Sequence, residues 1–165
     1  MRIAQSPDAL LPESLVDGPG LRLVLFLSGC QHACPGCHNA WLQDFQAGQE
    51  AAIEDICKRI VSQYQPGWHD GLTISGGDPL EQPVELAQLL NLLKEKLPDL
   101  NLWLYTGYLF EEVQHLEVLK YLDVLVDGPF LQQRVNEGQH FCGSGNQRIF
   151  YLHNGNVINQ NENTK

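Results

Sequence analysis

The sequence predicts an α/β fold: an open, partial (βα) barrel of about five mainly parallel strands. Three observations predict it. Apolar runs of strand length alternate with segments of helical periodicity, the pattern of a parallel sheet with crossover helices. Glycine or another turn former follows most of these runs. The 165 residues fall well short of the roughly 250 of a closed eight-stranded barrel, so the sheet has to stay open at its strands' C-terminal ends.

The chain reads as one domain over residues 1–165. Residues 1–16 carry two prolines, Pro7 and Pro12, and little periodicity, so they are expected as an N-terminal arm or a short edge strand. Asp17-Gly18-Pro19-Gly20 is a turn signal. The first strand is Leu21 to Leu27, an apolar run bounded by glycines. A helix follows, with Ile53, Ile56, Cys57, Ile60, Val61 and Tyr64 on one face, ended by Gln65-Pro66-Gly67. Cys57 therefore reads as a packed core thiol.

Gly71 to Ser75 is the second strand and runs into Gly76-Gly77-Asp78-Pro79. Pro83 opens the second helix, Leu86, Leu89, Leu90, Leu93 and Leu97 line its buried face, and Pro98 stops it. Leu102 to Tyr105 is the third strand, Phe110 to Leu122 the third helix and Val124 to Val126 the fourth strand. After an irregular stretch, Gln147 to Leu152 makes the fifth. His153-Asn154-Gly155-Asn156 is a hairpin turn, Val157-Ile158 pairs back, and the Asn-rich tail to Lys165 frays, so residues 153–165 form a C-terminal hairpin and tail.

With 20 acidic residues against 10 basic and a net charge of -10, a phosphate-backbone partner is excluded as the main ligand: no nucleic acid is expected. No apolar run approaches the roughly 20 residues of a membrane span, so no membrane partner is expected either. The first residues lack a cationic head and apolar core, and five cysteines are an odd count for a disulfide framework; both point to the reducing cytoplasm.

The chemistry concentrates in Cys30-Gln31-His32-Ala33-Cys34-Pro35-Gly36-Cys37, on the loop leaving the first strand, where α/β folds place their sites. Thiolates are soft ligands for zinc or iron–sulfur clusters. Three of them hold three irons of a cube and leave the fourth open. Other readings stand beside this one. Cys34-Pro35-Gly36-Cys37-His38 also spells the c-type haem attachment pattern, which demands export and leaves Cys30 unexplained. A redox dithiol leaves the third cysteine unexplained. Structural zinc, with His32 or His38 as fourth ligand, is the strongest rival, but gives no purpose to Gly76-Gly77, Thr106 and Asp127.

The glycine pair after the second strand is either a plain strand-to-helix turn or a place where a ligand approaches the backbone without a Cβ in the way. Asp127 is either a turn former or, with Thr106, a holder of a bound small molecule or a monovalent cation.

Cys-x3-Cys-x2-Cys after a first strand resembles the signature of the radical S-adenosylmethionine enzymes. Asp17-Gly18-Pro19-Gly20-Leu21-Arg22, Ser75-Gly76-Gly77-Asp78-Pro79-Leu80, Tyr105-Thr106-Gly107-Tyr108, Val126-Asp127-Gly128 and Gly143-Ser144-Gly145-Asn146-Gln147 follow in register. Together they resemble the activating proteins of anaerobic ribonucleoside-triphosphate reductase, from about Asp17 to Phe150. The resemblance implies one 4Fe-4S cluster on Cys30, Cys34 and Cys37. It implies S-adenosyl-L-methionine held by Gly36, Cys37, His38, Gly76, Gly77, Asp78, Thr106 and Asp127. It implies reductive cleavage of that cofactor to a 5′-deoxyadenosyl radical, and a glycyl radical made on the reductase as protein partner. A low-potential electron donor such as flavodoxin or ferredoxin is implied too, and no general acid or base.

Two positions depart from the family. Gly36 stands where many relatives have an aromatic residue, so His38 either stacks on adenine instead or is an ordinary solvated loop histidine. Cys142 stands where close relatives tend to have arginine, which leaves the role of residues 141–147 open. The alternatives are a small radical enzyme acting on a free metabolite, similar to the deazapurine synthases, and a non-catalytic metal-binding or electron-transfer module.

Overall fold

A computed structural model describes residues 1–5, 7–135 and 140–161. Residues 1–16 enter the sheet as β1 (Arg2–Ile3) and β2 (Leu10–Ser14), both antiparallel to β3 (Arg22–Leu27). β4 (Gln49–Glu50) pairs with β1. Then come α1 (Ile53–Gln63), β5 (Gly71–Gly76), α2 (Pro83–Lys96), β6 (Leu102–Tyr105), α3 (Phe110–Val113), β7 (Val124–Asp127) and the hairpin β8 (Arg148–His153) and β9 (Asn156–Asn161).

The strand order is β4-β1-β3-β5-β6-β7-β8-β9, with β2 beside β3, so the sheet keeps two edges and does not close. β3, β5, β6 and β7 are parallel. The fifth expected strand, β8, lies antiparallel to β7, because a loop and not a crossover helix connects them. The frayed tail expected near Lys165 lies, from residue 162 onward, outside the described residues, as do residues 136–139 of the irregular stretch.

The parallel strands are apolar on both faces because both faces are covered. Leu23, Val24, Leu25 and Leu27 of β3 are all buried. The main core lies between the sheet and the helices: Ile56, Cys57 and Ile60 of α1 and Leu86, Leu89, Leu90 and Leu93 of α2 are buried in it. A smaller cluster of Trp103, Val124, Val126 and Ile149 fills the opposite face, with Tyr105, Phe141 and Cys142 packed on it.

The third expected helix is not continuous. α3 ends at Val113, and Glu117–Tyr121 forms a 3-10 turn. Val113, Val118, Leu119 and Leu122 are all buried. At about 100° per residue, Val118 and Leu119 would point well away from Val113 on one α-helix, so the break is what buries all of them.

Register sets up the site. Leu27 of β3 pairs with Gly76 of β5, and Tyr105 of β6 pairs with Val126 of β7, so the loops after these strands open side by side. Arg22, at the other end of β3, is 1% exposed within a run that reads as apolar. Its guanidinium donates to the Thr73 hydroxyl at 2.8 Å and to the carbonyls of Leu72 and Asn101, and lies over the Trp103 ring. No carboxylate among the described residues is hydrogen-bonded to it, and burial pulls its pKa down to about 10.

Candidate metal centre

The cysteine loop is fixed at both ends by backbone bonds. The N–H of Gly29 donates to Leu42 O at 2.8 Å and that of Cys30 to Gln43 O at 3.0 Å. The N–H of Gly77 donates to Leu27 O at 2.8 Å and that of Asp78 to Gly29 O at 2.7 Å, which straps the loop after β5 onto the loop after β3. Between the second and third cysteines the chain reverses, with Gly36 at φ 73° and the Cys37 N–H donating to Cys34 O. That left-handed backbone accounts for glycine where an aromatic was the family expectation; a Cβ there would meet only the movable end of the Gln132 side chain.

Cys30, Cys34 and Cys37 are free and partly exposed, and all three line one cavity of about 110 Å³ with His32, Gly77 and Gly107. Burial pushes the Cys30 thiol up to about 11, against the pull of the His32 backbone N–H. An adjoining cavity of about 470 Å³ shares Cys37, Ser75, Tyr105, Phe130 and Gln147 with the first and adds His38, Asp17 and Cys142. His38 is exposed at that rim, its ring centroid 5.0 Å from that of Phe130. A further groove, about 700 Å³, runs past Leu11, Trp41 and Trp68, and no cysteine lines it.

The acidic and hydroxyl residues expected at the site are bonded within the protein. Asp78 is 1% exposed and accepts from the Thr106 hydroxyl, the N–H groups of Gly107 (2.8 Å) and Leu80 (3.0 Å), and faces His32 Nε2 at 3.0 Å. Asp127 is buried and paired with Arg148, whose Nε donates to Oδ1 at 3.0 Å and whose Nη2 donates to Oδ2; the Phe110 N–H also donates to Oδ2. Arg148 in turn makes a two-pronged contact with Glu111, which lowers the Glu111 pKa.

Residues 141–147 have a definite structural role. Gln147 donates to Gly128 O at 2.9 Å and accepts from the Gly143 N–H at 2.7 Å, and Asn146 donates to Pro129 O at 2.7 Å. They tie the last loop to the end of β7 and wall the larger cavity. Ser75, Tyr105, Phe130 and Gln147 join the site from outside the expected set. Gln147 belongs to a glycine-rich motif, whereas Phe130 carries no sequence signal.

Which group do these residues fit? Cys30, His32 and Asp78 offer ligand atoms within 4.8 Å of one another, a set a divalent cation would use. That set spends an Asp78 carboxylate that three other donors, from Thr106, Gly107 and Leu80, already occupy. The three thiols are soft, converge on one cavity and leave no fourth thiol there: Cys57 is 1% exposed in the core and Cys142 lines the adjoining cavity. The wall opposite is cut back to glycine, since a Cβ at Gly107 would come within 2.5 Å of the His32 ring and one at Gly77 within 2.4 Å of Gly29 O. The donor chemistry fits an iron–sulfur cluster.

An open, largely parallel α/β sheet with three thiols at its mouth defines an iron–sulfur protein, and the comparisons agree. Residues 16–150 match the family model described as a 4Fe-4S single cluster domain. The chain is 37% identical over 145 residues to the anaerobic ribonucleoside-triphosphate reductase-activating protein of Enterobacteria phage T4, covering 87% of this chain and 92% of that one. It is 40% identical over 152 residues to the protein of the same name from Pasteurella multocida (84% and 92%), and 34% over 147 residues to that from Escherichia coli (86% and 95%). The chain belongs to the family of anaerobic ribonucleoside-triphosphate reductase-activating proteins.

Proposed function

We propose that this chain is an iron–sulfur activase for an anaerobic ribonucleoside-triphosphate reductase. The observation that carries the reading is three thiols and no fourth on a glycine-walled cavity. The names of the relatives support the partner. When bound, a 4Fe-4S cluster with one open iron supplies an electron to the sulfonium of S-adenosylmethionine, giving methionine and a 5′-deoxyadenosyl radical that takes hydrogen from a glycine Cα of the reductase.

The chain's own residues position and exclude. Cys30, Cys34 and Cys37 hold the cluster. Gly36, Cys37, Gly76 and Gly77 bring backbone groups within reach of the cofactor, and His38, beside Phe130, offers a ring at the larger cavity for the adenine. Asp78, Thr106 and Asp127 serve through the walls they brace, because protein donors already occupy their carboxylates or they occupy one. No side chain is assigned as general acid or base. The four parallel strands make a shortened, partial barrel in one domain, whose unsealed mouth suits a substrate that is itself a protein. Electrons come from a low-potential donor such as flavodoxin or ferredoxin. Among the described residues no helix is long and apolar enough to cross a membrane; we place the protein in the cytoplasm.

The test is low-temperature spin resonance of the reductase after anaerobic mixing with this chain, reductant and S-adenosylmethionine. A glycine-centred doublet is expected. Cofactor cleavage without that doublet would transfer the reading to a free-metabolite enzyme, and zinc with no cleavage would defeat it.

A further inference from the structure

The groove of about 700 Å³ has no part in the function above, yet it opens off the site. Phe26 and Asn39 line it, and the same two residues line the cavity that holds Cys37 and His38. From there it runs outward past Trp41, Leu11 and Trp68. Two of the chain's three tryptophans therefore stand on it, Trp41 53% and Trp68 60% exposed. Trp68 is held there, its Nε1–H donating to Glu13 Oε1 at 3.3 Å. Aromatic surface of this size is unfavourable in water, and tryptophan is enriched among the anchors of protein–protein interfaces. Gathered in one groove, it marks a surface that another molecule covers.

The polar groups say what kind of molecule that is. Asp8 and Glu13 are exposed on the groove, whereas its cation, Arg59, already donates to Pro7 O at 3.2 Å. The chain as a whole carries a net charge of -10. Both favour a basic occupant. Strand addition to β2 is blunted at its centre: Pro12 has no N–H, and its carbonyl accepts from His69 Nε2 at 3.0 Å. Recognition therefore falls to side chains.

We infer that this groove is a docking surface for the protein substrate. An extended segment of the reductase, bearing apolar side chains and a lysine or arginine, lies along Trp41, Leu11 and Trp68. The target glycine next to it enters the cavity beyond Phe26 and Asn39. This deepens the activase reading proposed above and rests on it. A free metabolite in the cavity would leave the groove uncovered, whereas a protein segment covers both at once.

The experiment uses the full chain, reconstituted anaerobically, with the intact reductase. It reads the Kd of the complex, and the KM for reductase and kcat of glycyl radical formation. Trp68→Ala should weaken binding about 30-fold, the loss expected of an aromatic anchor, and raise KM alike with kcat nearly unchanged. Asp8→Lys, an exposed change, should weaken binding roughly tenfold by repelling the basic segment. Unchanged affinity in either variant would overturn the inference. So would unchanged reductase affinity with an altered oligomeric state in Trp68→Ala, which assigns the groove to a second copy of this chain. Should Trp68→Ala fail to fold, Asp8→Lys decides, and wild-type affinity there overturns it. An unmodified chain that does not bind the reductase at all defeats the proposed function instead, a result distinct from any of these.

Discussion

The Thr106 hydroxyl lies 2.9 Å from both carboxylate oxygens of Asp78, 28 residues away in sequence at the end of the neighbouring strand. Three loops are braced through this one acid: its own, the loop after β6 through Thr106 and Gly107, and the cysteine loop through His32. Asp78→Ala leaves these buried donors without an acceptor. It should lower the unfolding free energy of the cluster-free chain by about 3 kcal/mol, at about 1–3 kcal/mol for a stranded buried group. Equilibrium denaturation checks this. A loss within the roughly 0.5 kcal/mol of an ordinary surface substitution would contradict the brace.

Gly77 is required for space. Its Cβ would sit 2.4 Å from Gly29 O and 2.7 Å from Leu42 O, both backbone atoms that cannot swing aside. Gly77→Ala should therefore push the cysteine loop away from β5, costing about 1–3 kcal/mol and reducing iron uptake on reconstitution. Denaturation and iron analysis of the same preparation check it. Normal stability with normal uptake would show that the contact is not needed.

With a cluster on Cys30, Cys34 and Cys37, the thiols left to alkylate are Cys57 and Cys142. Burial, reinforced by Asp127, pushes Cys142 up to about 11, and burial raises Cys57. A raised thiol pKa means less thiolate at a given pH. Cys142 should then react at about pH 8 at on the order of one-thousandth of its limiting rate, speeding up about tenfold per pH unit until about pH 11. Mass-spectrometric alkylation rates check it, and a plateau near the ordinary thiol value would contradict the raised pKa of this partly buried thiol.

How much of this was legible beforehand differs by element. The strands β3, β5, β6 and β7 announce themselves because strands buried on both faces read as near-continuous apolar runs, and a glycine ends each or follows within two residues. Helices α1 and α2 announce themselves through one-faced periodicity and proline at their borders. β1 and β2 do not, since Arg2–Ile3 is too short for a period, Pro12 interrupts the other, and partners elsewhere in the sheet hold both. Arg22 hides in an apolar run because its polar end is satisfied by Thr73 and two carbonyls brought up only by folding. At the site, spacing identifies the three thiols. It cannot tell that Asp127 is taken by Arg148, a pair made by strand register, or that Asp78 is spent on Thr106 and His32, pairs made where separate loops meet in the fold.

The most direct test of the central claim is Mössbauer spectroscopy of the chain reconstituted with isotopically enriched iron, before and after S-adenosylmethionine is added. The account expects a four-iron cluster in which a single iron changes its spectrum on addition, while the irons held by Cys30, Cys34 and Cys37 keep theirs. A spectrum that does not respond, or a site filled by zinc with no cluster formed, would contradict it.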